Sequence, residues 1–159
     1  MNKKVIYLVQ AAMIAAIYIV LLMIFQSISG TVIQVRVSEA LTILPYFTPA
    51  AIPGLFVGCF LGNMLNYAEP LDFIFGSLAT LIAAMMSYKL RFNKFLVPIP
   101  PIVVNMLVVP WILSYAYAES ASIPFMMLTV GIGQIVACGV FGMILLFALD
   151  KYKTQIFKM

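Results

Sequence analysis

The chain is 159 residues long, 65% hydrophobic and only 9% charged, with a formal net charge of +4 and a mean hydropathy of +1.13. A soluble domain is about half apolar and about a quarter charged, so this composition excludes one and calls for an integral membrane protein. The modest basic excess gathers near segment ends and speaks for membrane topology rather than for nucleic acid.

Histidine is absent, which removes the commonest metal and haem ligand and the usual proton shuttle. Cys59 and Cys138 stand alone in apolar runs and read as core thiols rather than as a disulfide or a ligand pair. No GxxxxGK[ST] loop is present, so the chain does not itself hold ATP in a Walker-type site.

In chain order, a short positive start at residues 1–4 precedes an apolar run over 5–25. That run is too long for the core of a signal peptide, and further spans follow it, so it is read as a retained first helix. Its inner half carries two overlapping small-xxx-small pairs, Ala11 with Ala15 and Ala12 with Ala16. Either pair serves internal packing or a flat docking strip for another protein. Residues 26–37 lack helical periodicity and read as a loop over the outer surface.

Residues 35–65 form the most interrupted apolar stretch. It opens on Arg36 and Glu39, three apart and so on one helical face. Pro45, Pro49 and Pro53 follow, and it closes on Gly54, Gly58 and Gly62, spaced for close helix approach. Charge, prolines and glycines inside a hydrophobic setting point to irregular, polar-lined geometry. The pattern predicts a second helix over 38–47 with Ser38 as its N-cap, then a proline turn and a third helix over 54–67. Asp72 is placed to cap a fourth helix ending near residue 88. A fifth helix with Pro98, Pro100 and Pro101 in its first turns ends near 117, and a sixth segment covers 123–149.

Six spans result, forming one all-α transmembrane domain over 1–159. The basic clusters lie before the first span, between the fourth and fifth (Lys89, Arg91, Lys94) and after the sixth, which puts all three on one side. Both termini are therefore expected to be cytoplasmic in a multi-pass cell-membrane protein.

Most of the exceptional polar residues then collect in the outer half: Glu39, Asn63, Asn66, Glu69, Asp72, Trp111 and Tyr115, with Asn105 and Gln134 nearer mid-membrane. Aromatic faces, amides and a carboxylate suit a flat, amine-rich heterocycle. Each has a plainer reading beside this one. Trp111 and Tyr115, with Tyr117, fit an interfacial aromatic belt, Asp72 fits a helix cap, and Glu39 fits a partner for Arg36. Asn63 and Asn66 also serve to tie helices together, solvation alone accounts for Glu69, and Asn105 and Gln134 can pair with each other. No nucleophile stands beside a base and no cofactor loop follows a strand, so an enzyme is not indicated and no cofactor is called for.

The block QVRVSEALTILPYFTPAAIPGLFVGCFLGN (34–63) with the connection AEPLD (68–72) resembles the QueT family, substrate-binding S components of energy-coupling factor (ECF) transporters for queuosine precursors. The resemblance covers the whole chain and implies an S-component-like bundle. It implies high-affinity binding of a 7-deazaguanine such as preQ0 or preQ1 at the outer face. It also implies partners, namely one transmembrane coupling protein (the T component) and two ATP-binding subunits. In such proteins an AxxxA strip on the first helix meets the coupling protein, a role that falls here on Ala11, Ala12, Ala15 and Ala16. The loop 26–37 becomes the lid over the ligand. Glu39, with Arg36 beside it, is the preferred acceptor for the ligand's donor edge, followed by Glu69 and Asp72. Two other readings stand beside it: an S component for another small planar metabolite, and a non-transporting membrane assembly protein.

Overall fold

A computed structural model describes residues 2–29, 35–66 and 68–156. Among these the chain is all helical, without strands. The first helix, α1 (Lys3–Ile24), starts at Asn2, whose side chain accepts from the Lys4 amide and so satisfies one orphan donor of the first turn. A single turn, α2 (Gln26–Ser29), follows, so the start of the expected loop is helical; residues 30–34 of it lie outside the described residues.

Next comes a ten-residue 3-10 helix, Val37–Tyr46. Runs of this kind rarely exceed three or four residues. Two local features leave carbonyls of this segment without an α-type amide partner. The Glu39 carbonyl, which an α-helix would give to the Ile43 amide, accepts from the Thr42 hydroxyl at 2.6 Å. Pro45 has no amide to offer the Leu41 carbonyl. The tighter winding stretches the segment to about 20 Å, against about 15 Å for ten α-helical residues. Ser38 is not its N-cap. Arg36 holds that position without a side-chain cap bond, and the Ser38 hydroxyl is buried inside the helix with no hydrogen-bond partner among the described residues.

Thr48 makes the turn that follows. Its hydroxyl donates to Gln10 Oε1 (3.0 Å) and accepts from the Ala50 amide (3.2 Å). Helix α3 (Ala51–Leu65) therefore begins before Gly54, with Pro53 in its first turn, where its missing amide goes unneeded. After Asn66 the chain is helical again from Pro70, passing through a π segment (Asp72–Gly76) into α4 (Ser77–Lys89). A short 3-10 turn (Lys94–Leu96) leads to α5 (Ile99–Ala116), and α6 (Ile123–Gln134) runs through a second π segment (Ile135–Phe141) into α7 (Gly142–Asp150). The last turn is α8 (Lys153–Ile156). The stretches Lys3–Ile24, Lys94–Ala116 and Ile123–Asp150 are long and apolar enough to cross a membrane, and α3 is a shorter apolar helix.

The 3-10 helix is the centre of the bundle. Every residue from Ser38 to Pro45 is buried, and the segment touches α1, α3, α4, the second π segment and α7. Ile14, Tyr18 and Leu22 of α1 meet Leu41, Ile43 and Leu44 of the 3-10 helix, Leu55 and Cys59 of α3, and Leu146 of α7 in one apolar core. Helices α1 and α3 run parallel with backbones nearly touching. A Cβ at Gly54 would lie 2.7 Å from the Ala11 carbonyl oxygen, and one at Gly58 would lie 2.9 Å from Tyr18 Cβ. This settles which alanines pack internally. Ala15 is buried and Ala11 half-buried against that glycine face, while Ala12 and Ala16 are exposed.

Candidate functional site

Glu39 is the buried carboxylate around which the other polar side chains gather. Its Oε1 accepts from the Tyr18 hydroxyl at 2.5 Å and its Oε2 from Asn105 Nδ2 at 3.3 Å. Three elements thus converge on one side chain: α1 through Tyr18, α5 through Asn105, and the 3-10 helix that carries Glu39. A carboxylate inside an apolar bundle is expensive unless such donors replace water.

The second π segment packs against the same turn. Cys138 Sγ lies 3.2 Å from Gln134 Oε1, 3.4 Å from the Thr42 hydroxyl and 3.5 Å from the Glu39 carbonyl. The first π segment lies opposite, where Asp72 meets two donors. Asp72 Oδ2 accepts from the Tyr117 hydroxyl at 3.0 Å and pairs with Arg36 Nη2 at 3.4 Å. Burial, then the adjacent Asp72 carboxylate, push the Tyr117 phenol up, so it stays protonated as the donor. The Tyr117 hydroxyl also accepts from the Glu69 amide at 3.2 Å. Just beyond it, Ala118 adopts a left-handed φ of 49° as the chain leaves α5, and the Glu119 amide returns to the Leu113 carbonyl. Besides the short 3-10 turn at Lys94–Leu96, the backbone departs from the α form in the long 3-10 helix and the two π segments, and these three border Glu39 or Arg36. Such interruptions recur at functional sites.

Between these groups lies a small, partly open cavity of about 10 Å³, lined by Arg36, Glu39, Gly76, Thr80, Asn105, Val109, Val130 and Gln134. That is roughly the room needed for one water molecule.

Four of the residues expected at the site, Arg36, Glu39, Asn105 and Gln134, therefore share one cavity. Asp72 stands behind Arg36 and does not cap α4, because its carboxylate is spent on Arg36 and Tyr117. Asn63 is buried nearby and donates to Cys59 Sγ at 3.4 Å. Asn66 ends α3, its amide turned back to the Gly62 and Asn63 carbonyls. Glu69 is exposed. Trp111 and Tyr115 are exposed and stacked on each other, with centroids 6.4 Å apart, and neither lines the cavity. Asn105 and Gln134 do not pair, since Asn105 turns to Glu39 and Gln134 to Cys138. Arg36 pairs with Asp72 rather than with Glu39 because it sits outside the helix, as its N-cap.

Sequence reasoning missed Tyr18 and Thr80, and took Tyr117 only as a belt aromatic, not as a donor to Asp72. Tyr18 was visible only as one of few polar groups in the first span. Thr80 donates to the Gly76 carbonyl at 3.0 Å, as an unexceptional helical threonine does. Cys59 and Cys138 are free and buried, as expected of core thiols.

The fold and the site define an all-helical membrane protein that holds a carboxylate, amides and a guanidinium around a small cavity. The QueT transporter family model matches residues 8–151, and the chain belongs to that family, one of transporters and not of enzymes. It is 35% identical over 98 residues to the protein named queuosine precursor transporter QueT from Lactococcus lactis subsp. cremoris (strain MG1363), a match covering 60% of this chain and 57% of that relative. The chain thus spans a little over half the length of that relative. No solved structure matches.

Proposed function

We propose that this chain is the substrate-binding S component of an ECF transporter and takes up a queuosine precursor, a 7-deazaguanine. The single observation that carries the reading is Glu39. A chain with only five acids keeps one of them buried at its centre, between a phenol and an amide, beside a polar cavity. Family membership and the relative's name supply the substrate class.

A 7-deazaguanine presents a ring N–H beside an exocyclic amine, two parallel donors at the spacing a carboxylate accepts. Each Glu39 oxygen now accepts one bond and has a second lone pair to offer. Gln134 and Asn105 supply amide groups for the ligand's carbonyl. A cavity of about 10 Å³ does not hold a purine-sized ring, so binding in this reading requires it to widen. The Arg36–Asp72–Tyr117 cluster is the closure in this reading. It ties the start of the 3-10 helix to the first π segment and to the end of α5.

The topology belongs to the same proposal. Residues 1–159 form one domain that crosses the membrane six times: α1, the 3-10 helix, α3, α4 with its π segment, α5, and the α6–α7 rod. Lys3, Lys4, Lys89, Arg91, Lys94, Lys151 and Lys153 share one end, which is cytoplasmic with both termini. The partners are a transmembrane coupling protein, which meets α1 along Ala12 and Ala16, and two ATP-binding subunits.

Mass spectrometry of ligand extracted from the purified protein tests the substrate. Recovery of 7-cyano- or 7-aminomethyl-7-deazaguanine is expected. Recovery of another planar metabolite would keep the binding role and change the substrate. A second reading, a non-transporting assembly protein, draws on the small volume of the cavity. It predicts no extractable ligand and no calorimetric binding of either compound. Topology is read separately from single cysteines at Asn93 and Ser120, with Cys59 and Cys138 replaced. An impermeant reagent applied to intact cells should label position 120 and spare position 93.

A further inference from the structure

At the other end of the bundle lies a larger recess. It is open, encloses about 660 Å³, and is lined by Tyr46, Phe47, Lys89, Arg91, Phe92, Lys153 and Thr154. Its origin is the short central helix. The 3-10 segment ends at Tyr46, and the Thr48 turn is tied to Gln10, well inside α1. At about 1.5 Å per residue, Gln10 lies on the order of 10 Å below the start of α1. The turn therefore stops short of the end of the bundle. Tyr46 and Phe47 face the space left over, and the Lys89 end of α4, the 89–94 loop and α8 stand around its mouth.

Three cations, Lys89, Arg91 and Lys153, line this recess, and its lining contains no carboxylate among the described residues. Asp150, at the end of α7, is engaged by Lys94 at 2.6 Å and by Lys153, one of the lining cations, at 3.2 Å. Arg91 lies over the Tyr88 ring at 4.3 Å, which aligns its guanidinium beside the mouth. Phe92 is 78% exposed and Phe95 67%. Large exposed aromatics next to cations at the end of a membrane bundle belong at the depth of lipid headgroups.

We propose that this recess is a binding site for one anionic phospholipid, with the headgroup phosphodiester held by Lys89, Arg91 and Lys153 and the glycerol and upper acyl carbons resting on Tyr46, Phe47 and Phe92. An apolar floor under a cationic mouth fits an amphiphilic anion and fits neither a free phosphate nor a neutral lipid. The volume lies within the range of small-molecule sites, and basic pockets between membrane helices take such headgroups. The proposal stands whatever binds near Glu39.

The test uses the full chain in a neutral detergent, titrated with phosphatidylglycerol or phosphatidylcholine and read by native mass spectrometry. Wild type should retain one phosphatidylglycerol, with the phosphatidylcholine adduct weaker by about tenfold or more, as the loss of several near-surface charge contacts implies. The triple variant Lys89→Gln/Arg91→Gln/Lys153→Gln should lose that preference. A control variant, Lys3→Gln/Lys4→Gln/Lys151→Gln, removes equal charge outside the recess and should keep it. All six side chains are exposed, and circular dichroism checks that both variants are folded. Equal retention of the two lipids by wild type would overturn the proposal, as would equal loss of preference in both variants. Soluble glycerophosphate displacing the lipid at equal concentration would make the site one for free anions and overturn it as well. An acidic peptide competing more strongly than the lipid would assign the recess to a protein partner instead.

Discussion

Helix α1 and the 3-10 helix lie side by side and are built on opposite terms. α1 is long, regular and largely exposed, with Leu8, Met13, Val20 and Ile24 on its outer face, and its backbone satisfies itself wherever lipid surrounds it. The 3-10 helix is short and tightly wound, interrupted by Pro45 and buried from Ser38 to Pro45. It can carry Glu39 because neighbouring helices supply the donors that lipid cannot. The irregular segment holds the chemistry and the regular one walls it in, and the difference follows from which of the two meets lipid.

Breaking the buried half of this comparison should have the largest effect. Glu39→Gln keeps size but replaces two acceptors with one acceptor and one donor facing the ligand's N–H edge. Affinity for 7-deazaguanines is expected to fall by about 30- to 5000-fold, the equivalent of roughly 2–5 kcal/mol, in a calorimetric titration. Binding within about twofold of wild type would remove Glu39 from the site. Tyr18→Phe deletes a bond to that carboxylate with little change of shape. It should lower stability by about 1.5–3 kcal/mol, measured by thermal unfolding in detergent, and an unchanged Tm would mean that the phenol is not a needed donor.

Gly58→Ala attacks the seam that holds α1 against α3, beside the 3-10 helix. Its Cβ would meet Tyr18 Cβ at 2.9 Å and the Ala15 backbone at 3.1 Å. Separation of α1 from α3 should cost about 1–3 kcal/mol, again read as Tm. The smallest effect on stability belongs to the exposed half. Ala12→Leu with Ala16→Leu should change stability by less than about 0.5 kcal/mol and leave ligand binding intact, yet abolish co-purification with the coupling protein. If co-purification survives, the strip is ordinary lipid-facing surface. Ala15→Leu is the contrast, because that alanine is packed against Gly58 and should behave like Gly58→Ala.

The all-helical membrane class was legible from hydropathy alone, because long apolar runs with rare charges have few other physical solutions. Glu39 was legible for the same reason, as an acid where acids are expensive. Its partners were harder to see. Tyr18 sits in an apolar helix that also holds Tyr7, and nothing in spacing says which phenol turns inward. Trp111 and Tyr115, four apart, were bound to share a face, but periodicity does not say whether that face looks to the cavity or away from it. The 3-10 and π windings were invisible, since an apolar pattern records burial and not pitch. Ser38 was misread as a cap because the reading assumed that the helix began after it. Which alanine pair packs inward was open until Gly54 and Gly58 were seen against Ala11 and Ala15.

Tyr18 projects from the same helix whose opposite face presents Ala12 and Ala16. A partner that grips that outer face would act on Glu39's oxygens to the extent that the Tyr18 bond differs between settings of α1. Linkage then requires symmetry, so that a ligand on Glu39 changes the grip on α1 by the same factor by which the grip changes the ligand's affinity. On the proposed reading, a helix with an exposed strip and a core-side phenol would let each occupant report on the other.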